Sequence, residues 1–224
     1  MSASAIESAL LKFKSSIPSY VDLVAVSKTK PNQDILLAYN AGQRIFGENK
    51  IQDLVLKQET LPKDIEWHFI GHLQTNKVKY IAPFVSLIHA IDSIKLLREV
   101  NKRAKQNKRT IDCLLQVKIA QEDSKFGIYP NELEGFITSN EVKSLSNISI
   151  NGLMGMASNT KNDVQLKSEF CQLNLLYNRI KISNPAFQTL SMGMSGDYRL
   201  AIDEGSNMVR VGSSIFGARN YSKQ

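Results

Sequence analysis

Apolar and polar positions alternate between two textures along the chain. Short β-branched or apolar runs are each followed by a polar-amphipathic stretch. The runs are VDLVAVSKT (Val21 to Thr29), RIFGEN (Arg44 to Asn49), EWHFIGH (Glu66 to His72) and FVSLIHAID (Phe84 to Asp92). They continue as DCLLQVKIA (Asp112 to Ala120), ISINGLMGMA (Ile148 to Ala157), FQTLSMGM (Phe187 to Met194) and NMVRVGSSIFG (Asn207 to Gly217). Such near-continuous apolar character is expected of strands covered on both faces, as in parallel sheets. The intervening stretches read as helices. Asn32 to Ala41 follows Pro31, a favoured first-turn residue, and stops at Gly42. Asp163 to Ile182 carries Leu166, Phe170, Leu173, Tyr177 and Ile180 on one stripe. Further helices are predicted from Asp92-Ser93 to about Gln106, from Pro130 to Ser139, and from Tyr198 to Glu204. Ala3 to about Lys14 reads as an extra N-terminal helix. About eight β/α alternations predict an α/β fold, a (β/α)8 TIM barrel. The 224 residues fall slightly short of the ~250 typical of it. A doubly wound open sheet is the structural alternative. No Pro/Gly/Ser linker divides the chain, so residues 1–224 are expected to form a single barrel domain.

Composition narrows the class. Hydrophobic residues are 42% and charged residues 22%, which is ordinary for a globular protein. No apolar run approaches the ~20 residues of a membrane span. The start, MSASAIESALLKFKSSIPSY, lacks a basic segment followed by a long apolar one, so no secretory signal is expected. Glu7 and the absence of Arg argue against an organellar signal. Cys113 and Cys171 lie in apolar settings without a C-x-x-C motif, and are expected as reduced core thiols of a cytoplasmic protein. The net charge of +7 raises the question of nucleic acid. The densest basic cluster, Lys102, Arg103, Lys105, Lys108 and Arg109, has no interleaved aromatics. It reads as a solvated helix C-terminus, where cations suit the macrodipole.

In a barrel, chemistry belongs at the C-terminal ends of the strands. That rule selects Lys28, Asn49, His72, Met154, Met194 and the turn after Arg210. Lys28 ends a strongly apolar strand. Partial desolvation there lowers a lysine pKa and makes the amine a nucleophile toward carbonyls; the other reading is a lysine that simply reaches solvent. Lys30 ranks second, because it lies beside Pro31 in the loop. SMGMSGD (Ser191 to Asp197) and VRVGSSIFG (Val209 to Gly217) place Gly/Ser turns after the seventh and eighth strands. Backbone N–H groups with neighbouring hydroxyls, here Gly212, Ser213 and Ser214, cradle an anion, and Arg210 would add a charge-assisted contact. Two ordinary tight turns are the alternative. Asn49 would bond a ligand or cap the next helix. Met154 and Met156 would face a planar ring or fill the core. His68 and His72 are separated along a strand by about 13 Å, too far to share a metal, and His89 has no carboxylate or thiol beside it in sequence. No metal is expected. No G-x-G-x-x-G, Walker A or G-x-S-x-G motif occurs.

Read together, AVSKTKP, FGEN, WHFIGHLQTNK, NGLMGM and SMGMSGDYRLAI, continuing into NMVRVGSSIFGAR, resemble the YggS/PROSC family of pyridoxal 5′-phosphate (PLP) homeostasis proteins. These motifs run in order from about residue 20 to residue 219. The resemblance implies a (β/α)8 barrel similar to the N-terminal domain of alanine racemase. It implies that Lys28 holds the PLP aldehyde as a Schiff base. Ser195 and the Gly212-Ser213 turn would bind the phosphate, with Gly196 close. Arg210 would lie on the phosphate side or the ring side, and Asn49 at the ring edge. Met154 and His72 are further carry-overs.

PLP does its own electron-sink chemistry once bound, and an enzyme must add a positioned acid or base and shield the site. In alanine racemases a second domain and a partner subunit do this. The present sequence stops at Gln224, soon after the eighth strand, which leaves the mouth open. The expectation is therefore a monomeric carrier or buffer of intracellular PLP (vitamin B6), not an efficient enzyme, with PLP-requiring apo-enzymes as its partners. Nucleic acid and membrane are not expected partners. The alternative is a racemase-like PLP enzyme, for which Tyr198 is the only base to name opposite Lys28.

Overall fold

Each apolar run contributes one strand, and each strand buries both of its faces. In the computed structural model, which describes residues 3–122 and 126–218, the strands are β1 (Asp22–Val26), β2 (Ile45–Glu48), β3 (Glu66–Phe69), β4 (Leu87–Ile91), β5 (Ile111–Val117), β6 (Ile148–Gly155), β7 (Thr189–Met194) and β8 (Met208–Val211). All pair in parallel and in chain order, and β1 pairs with β8 to close the barrel. The closed ring excludes the open doubly wound sheet. Arg219, the last residue of the motif run, and Gln224 lie outside the described residues.

The two-residue period of a strand sorts side chains to the two sides of the wall. Leu23, Ala25, Phe46, Trp67, Phe69, Cys113, Leu115, Val209 and Val211 point outward into the large core shared with the helices. Val24, Leu87, Leu114, Met154 and Met208 form a second, smaller cluster inside the barrel. Lys28 continues the inward parity of Val24 and Val26.

The helices are α1 (Ala3–Ser15), α2 (Asn32–Asn40), α3 (Ile51–Thr60), α4 (Val78–Ile81), α5 (Ile94–Gln106), α6 (Leu133–Thr138), α7 (Asn140–Lys143), α8 (Asp163–Ser183), α9 (Tyr198–Asp203) and α10 (Ser213–Phe216). The extra N-terminal helix is present and packs on α2 and α10. The predicted stripe of α8 is buried throughout. Ser93 caps α5 by accepting from the Leu96 N–H. The basic cluster at the end of α5 is partly structural: Arg109 donates to the carbonyls of Ala82 and Val85. No described helix is long and apolar enough to cross a membrane.

Three expectations need correction. The eighth run, read as one strand candidate from Asn207 to Gly217 with a Gly/Ser turn within it, contributes only Met208–Val211 as strand. Gly212 leaves strand geometry, and its carbonyl accepts from the Ile215 and Phe216 N–H groups to start α10. No helix is assigned from the sequence over Ile51–Thr60, where α3 forms. Cys113 is a core thiol whose pKa burial pushes up, but Cys171 is only half-buried on α8.

Backbone approach is closest between β6 and β7. An added Cβ at Gly152 would lie 1.8 Å from the Thr189 carbonyl oxygen. Gly152→Ala is expected to destabilise the fold by about 2–3 kcal/mol through overpacking, measured as a lowered urea midpoint.

Candidate functional site

The strand ends that carry the candidate residues are held by a small number of strong polar contacts. Ser27, directly before Lys28, is completely buried. Its N–H donates to the Gly47 carbonyl (3.0 Å), and its hydroxyl donates to Glu48 Oε1 (2.6 Å). Lys57, reaching in from α3, donates to the Ser27 carbonyl (2.9 Å) and to Glu48 Oε1 (2.5 Å). Glu48 is fully buried, and its Oε2 has no partner among the described residues. The Lys30 N–H closes a turn onto the Ser27 carbonyl at 3.0 Å, with Thr29 at φ 64° between them. A non-glycine residue in that left-handed region is uncommon and is held there by its surroundings. Lys28, half-buried, thus stands on a backbone gripped from both sides.

Lys30, the second-ranked amine, is engaged in backbone contacts. Its amine donates to the carbonyls of Phe216 (2.7 Å), Gly217 (3.3 Å) and Ala218 (3.3 Å), at the C-terminal end of α10. This ties the loop that bears Lys28 to the turn after β8.

The turns after β7 and β8 meet. The Gly212 N–H donates to Ser195 Oγ at 3.3 Å. Gly193 is at φ 94°, and a Cβ there would lie 2.6 Å from the Ala201 Cβ, so the turn requires glycine. Asp197 accepts from the Met194 N–H at 2.5 Å and pins the turn. Above Gly196 an added Cβ would meet nothing within 4 Å. Gly196, Ser213 and Ser214 are exposed, and Ser195 and Gly212 are half-buried. The β1–β8 register, with Val24 opposite Arg210 and Ala25 opposite Val211, sets these groups beside the end of β1. An amine and an array of neutral donors therefore occupy adjacent strand ends.

Arg210 lies deeper. It is 4% exposed, and one guanidinium nitrogen donates to the Ser191 carbonyl (2.9 Å) and to Ser191 Oγ (2.7 Å). The other donates to the Gly155 carbonyl (3.0 Å). Burial lowers its pKa to about 10, against the opposing field of Asp197, so it is a cation at neutral pH. Its bonds run inward to β6 and β7. Behind it, Ser191 Oγ stands 3.2 Å from His89 Nδ1, and His89 Nε2 stands 3.0 Å from His68 Nδ1. Both histidines are buried. Burial lowers the pKa of His68 to about 3 and that of His89 well below the usual value, the latter also through His68 and Arg210.

The remaining candidates follow the neighbouring strands β2 and β3 or lie in the inner cluster. Asn49 is half-buried after β2 and is fixed by Gly71, where a Cβ would lie 2.3 Å from the Asn49 carbonyl oxygen. Met154 is 1% exposed in the inner cluster, so it forms floor, not wall. His72 is on the rim, 3.5 Å from Asp92 Oδ2 and stacked on Phe126 at 4.3 Å between ring centroids. Tyr198 turns away from the mouth: its ring packs on Phe13 of α1, at 4.8 Å. No three described His, Cys, Asp or Glu residues are grouped to hold a metal ion.

Sequence reasoning missed the Ser27–Glu48–Lys57 cluster and the line from Arg210 to His68. The second had a signal. His68, His89, Ser191 and Arg210 all fall on inward parity, and polar residues there are visible once the barrel is accepted.

The chain matches, over residues 1–220, the family model described as alanine racemase, N-terminal domain. It is 42% identical over 212 residues to the pyridoxal phosphate homeostasis protein of Pasteurella multocida (strain Pm70), covering 92% of this chain and 89% of that protein. Among solved structures it is similar to PipY of Synechococcus elongatus PCC7942. The form without PLP gives a TM-score of 0.89 at 34% identity, covering 95% of this chain and 100% of that one. The form with PLP bound gives 0.85 at 33% identity, with the same coverage.

Two outcomes follow from the buried groups. Lys57→Met leaves Glu48 buried without its cation and is expected to destabilise the fold by about 3–5 kcal/mol. Glu48→Leu added to it should recover most of that loss in urea unfolding. The histidines stay neutral in the fold, while in the unfolded chain they take protons below pH about 6.5. Stability should therefore fall as pH drops from about 6.5 toward 3, by up to about 1.4 kcal/mol per pH unit for each histidine. Replacing both by Gln should flatten that slope.

Proposed function

The chain belongs to the alanine racemase N-terminal domain family, among its pyridoxal phosphate homeostasis proteins, and on that premise we propose that it binds PLP on Lys28 and serves as an intracellular carrier and buffer of it. The observation that carries this reading is the adjacency of the Lys28 strand end to the Ser195/Gly212 turn. A ligand that carries an aldehyde and a phosphate arm on adjacent ring carbons suits that pairing of an amine with neighbouring neutral donors. PipY, whose fold this chain shares, carries PLP in one of its two structures.

In this reading one barrel domain does all the binding. The Lys28 amine holds the aldehyde carbon as a Schiff base. Ser195, Gly196, Gly212 and Ser213 take the phosphate. Arg210 serves the ring side, because its guanidinium turns toward β6 and β7 and not toward the phosphate turn. Asn49 lies at the ring edge, Met154 supports the floor, and His72 contributes at the rim. PLP supplies a carbonyl that captures amines and a ring that accepts electrons. The protein's part is to hold that carbonyl and keep it sequestered.

A carrier is favoured over a racemase-like catalyst by the position of Tyr198. A racemase needs a base across the cofactor from Lys28. Tyr198 instead packs on Phe13, and its hydroxyl accepts from Arg199 Nε at 3.1 Å. We place the protein in the cytoplasm, where its two free cysteines stay reduced. It acts as a monomer, with its mouth open to PLP-requiring apo-enzymes.

The purified protein mixed with PLP should develop a visible absorption band that borohydride traps. Lys28→Ala should lose both the band and the trapping. A wild-type protein that stays colourless with added PLP overturns the reading.

A further inference from the structure

A line of polar side chains crosses the barrel interior from Arg210 on β8, through Ser191 on β7, to His89 on β4 and His68 on β3. Hydrogen accounting gives this line one direction. A guanidinium only donates, so Ser191 Oγ accepts from Arg210. The hydroxyl has one hydrogen of its own, and Ser191 is completely buried. His89 Nδ1 is the acceptor beside it, so Nδ1 must be bare. A neutral imidazole carries its single hydrogen on the other nitrogen, so His89 Nε2–H donates to a bare His68 Nδ1. The opposite direction would aim two donors at Ser191 Oγ and leave its own hydrogen without an acceptor in a dry site, which is costly.

The chemistry around Arg210 then becomes distinctive. It is a buried cation bonded to two carbonyls and a hydroxyl. No described carboxylate lies within 4.0 Å of it. Nothing in its shell neutralises its charge by direct pairing, and its orientation depends on Ser191 presenting a lone pair.

We propose that His89 and His68 are positioning residues: through Ser191 they hold the Arg210 guanidinium in place and keep its charge available to the ring side of the cofactor. This rests on the reading of Arg210 as a cofactor-binding residue. His89 acts without touching the cofactor, by fixing the hydroxyl rotor on which Arg210 leans.

Two measurements test it. In the full chain without added PLP, two-bond ¹H–¹⁵N correlation of the histidine rings should show His68 and His89 both as neutral Nε2–H tautomers. A hydrogen on His89 Nδ1 overturns the relay. In PLP-loaded protein, Ser191→Ala and His89→Phe should each shift the visible band and weaken PLP retention at least about tenfold, as loss of a bond to a charged group does. The double variant should be no worse than either single one, because the two act in one line. His89→Asn, which returns an acceptor oxygen near the Nδ1 position, should restore the band. Additive losses, or a folded His89→Phe with the wild-type band and retention, overturn the proposal. If the wild type takes up no PLP, the functional reading falls, and the tautomers alone decide the relay.

Discussion

The pairing of β1 with β8 is the contact on which the rest of the molecule depends. Until that seam closes, Lys28 and the Gly212–Ser213 turn are near opposite ends of the chain. Once it closes, they are neighbours, and the register alone fixes which residues meet. Lys30 reinforces the seam above the sheet by capping the end of α10. The Ser195/Gly212 turn and the Lys28 strand end are therefore held side by side by backbone pairing, which is stiffer than any arrangement of side chains on loops.

Two groups of buried polar residues flank this seam, on opposite sides of the barrel wall. Outside it, Glu48, Lys57 and Ser27 fix the backbone under Lys28. Inside it, Ser191, His89 and His68 stand behind Arg210. Both are expensive places for polar atoms, and apolar residues of similar size would give a more stable barrel. Their placement directly beneath the strand ends that bear Lys28 and Arg210 matches the need to hold a site in one geometry. Glu48 Oε2, without a partner among the described residues, fits the same pattern of polar atoms held where burial is costly.

Much of this was legible in the sequence because strands covered on both faces write their burial as continuous apolar runs. The runs Val21 to Thr29, Arg44 to Asn49 and Phe187 to Met194 contain β1, β2 and β7, and so put Lys28, Asn49 and Ser195 at strand ends. What failed did so for identifiable reasons. Gly212-Ser213-Ser214 breaks β8 early, yet the apolar Ile215 and Phe216 after it mimic a continuing strand. In α3 the apolar face of Ile51, Leu54 and Val55 is short and is continued by Lys57, which is buried by an ion pair. Inner-face histidines likewise look like interruptions until the partner strands are known. The pairs Glu48–Lys57 and His68–His89 are relations across the fold, and single-sequence patterns contain no record of them.

The arrangement also bears on the proposed carrier reading. The β1–β8 pairing brings the Lys28 strand end, the Gly212 turn and the Arg210 cation together. The aromatic hydroxyl nearest in sequence to the cradle, Tyr198, is used instead to dock α9 on α1 through Phe13. Rate acceleration requires groups aimed at charge that develops during reaction. On the proposed reading the aimed groups are those that hold the cofactor itself, and gripping a ligand equally in all states raises affinity without raising rate. A site of that kind would favour retention of a reactive carbonyl over its turnover.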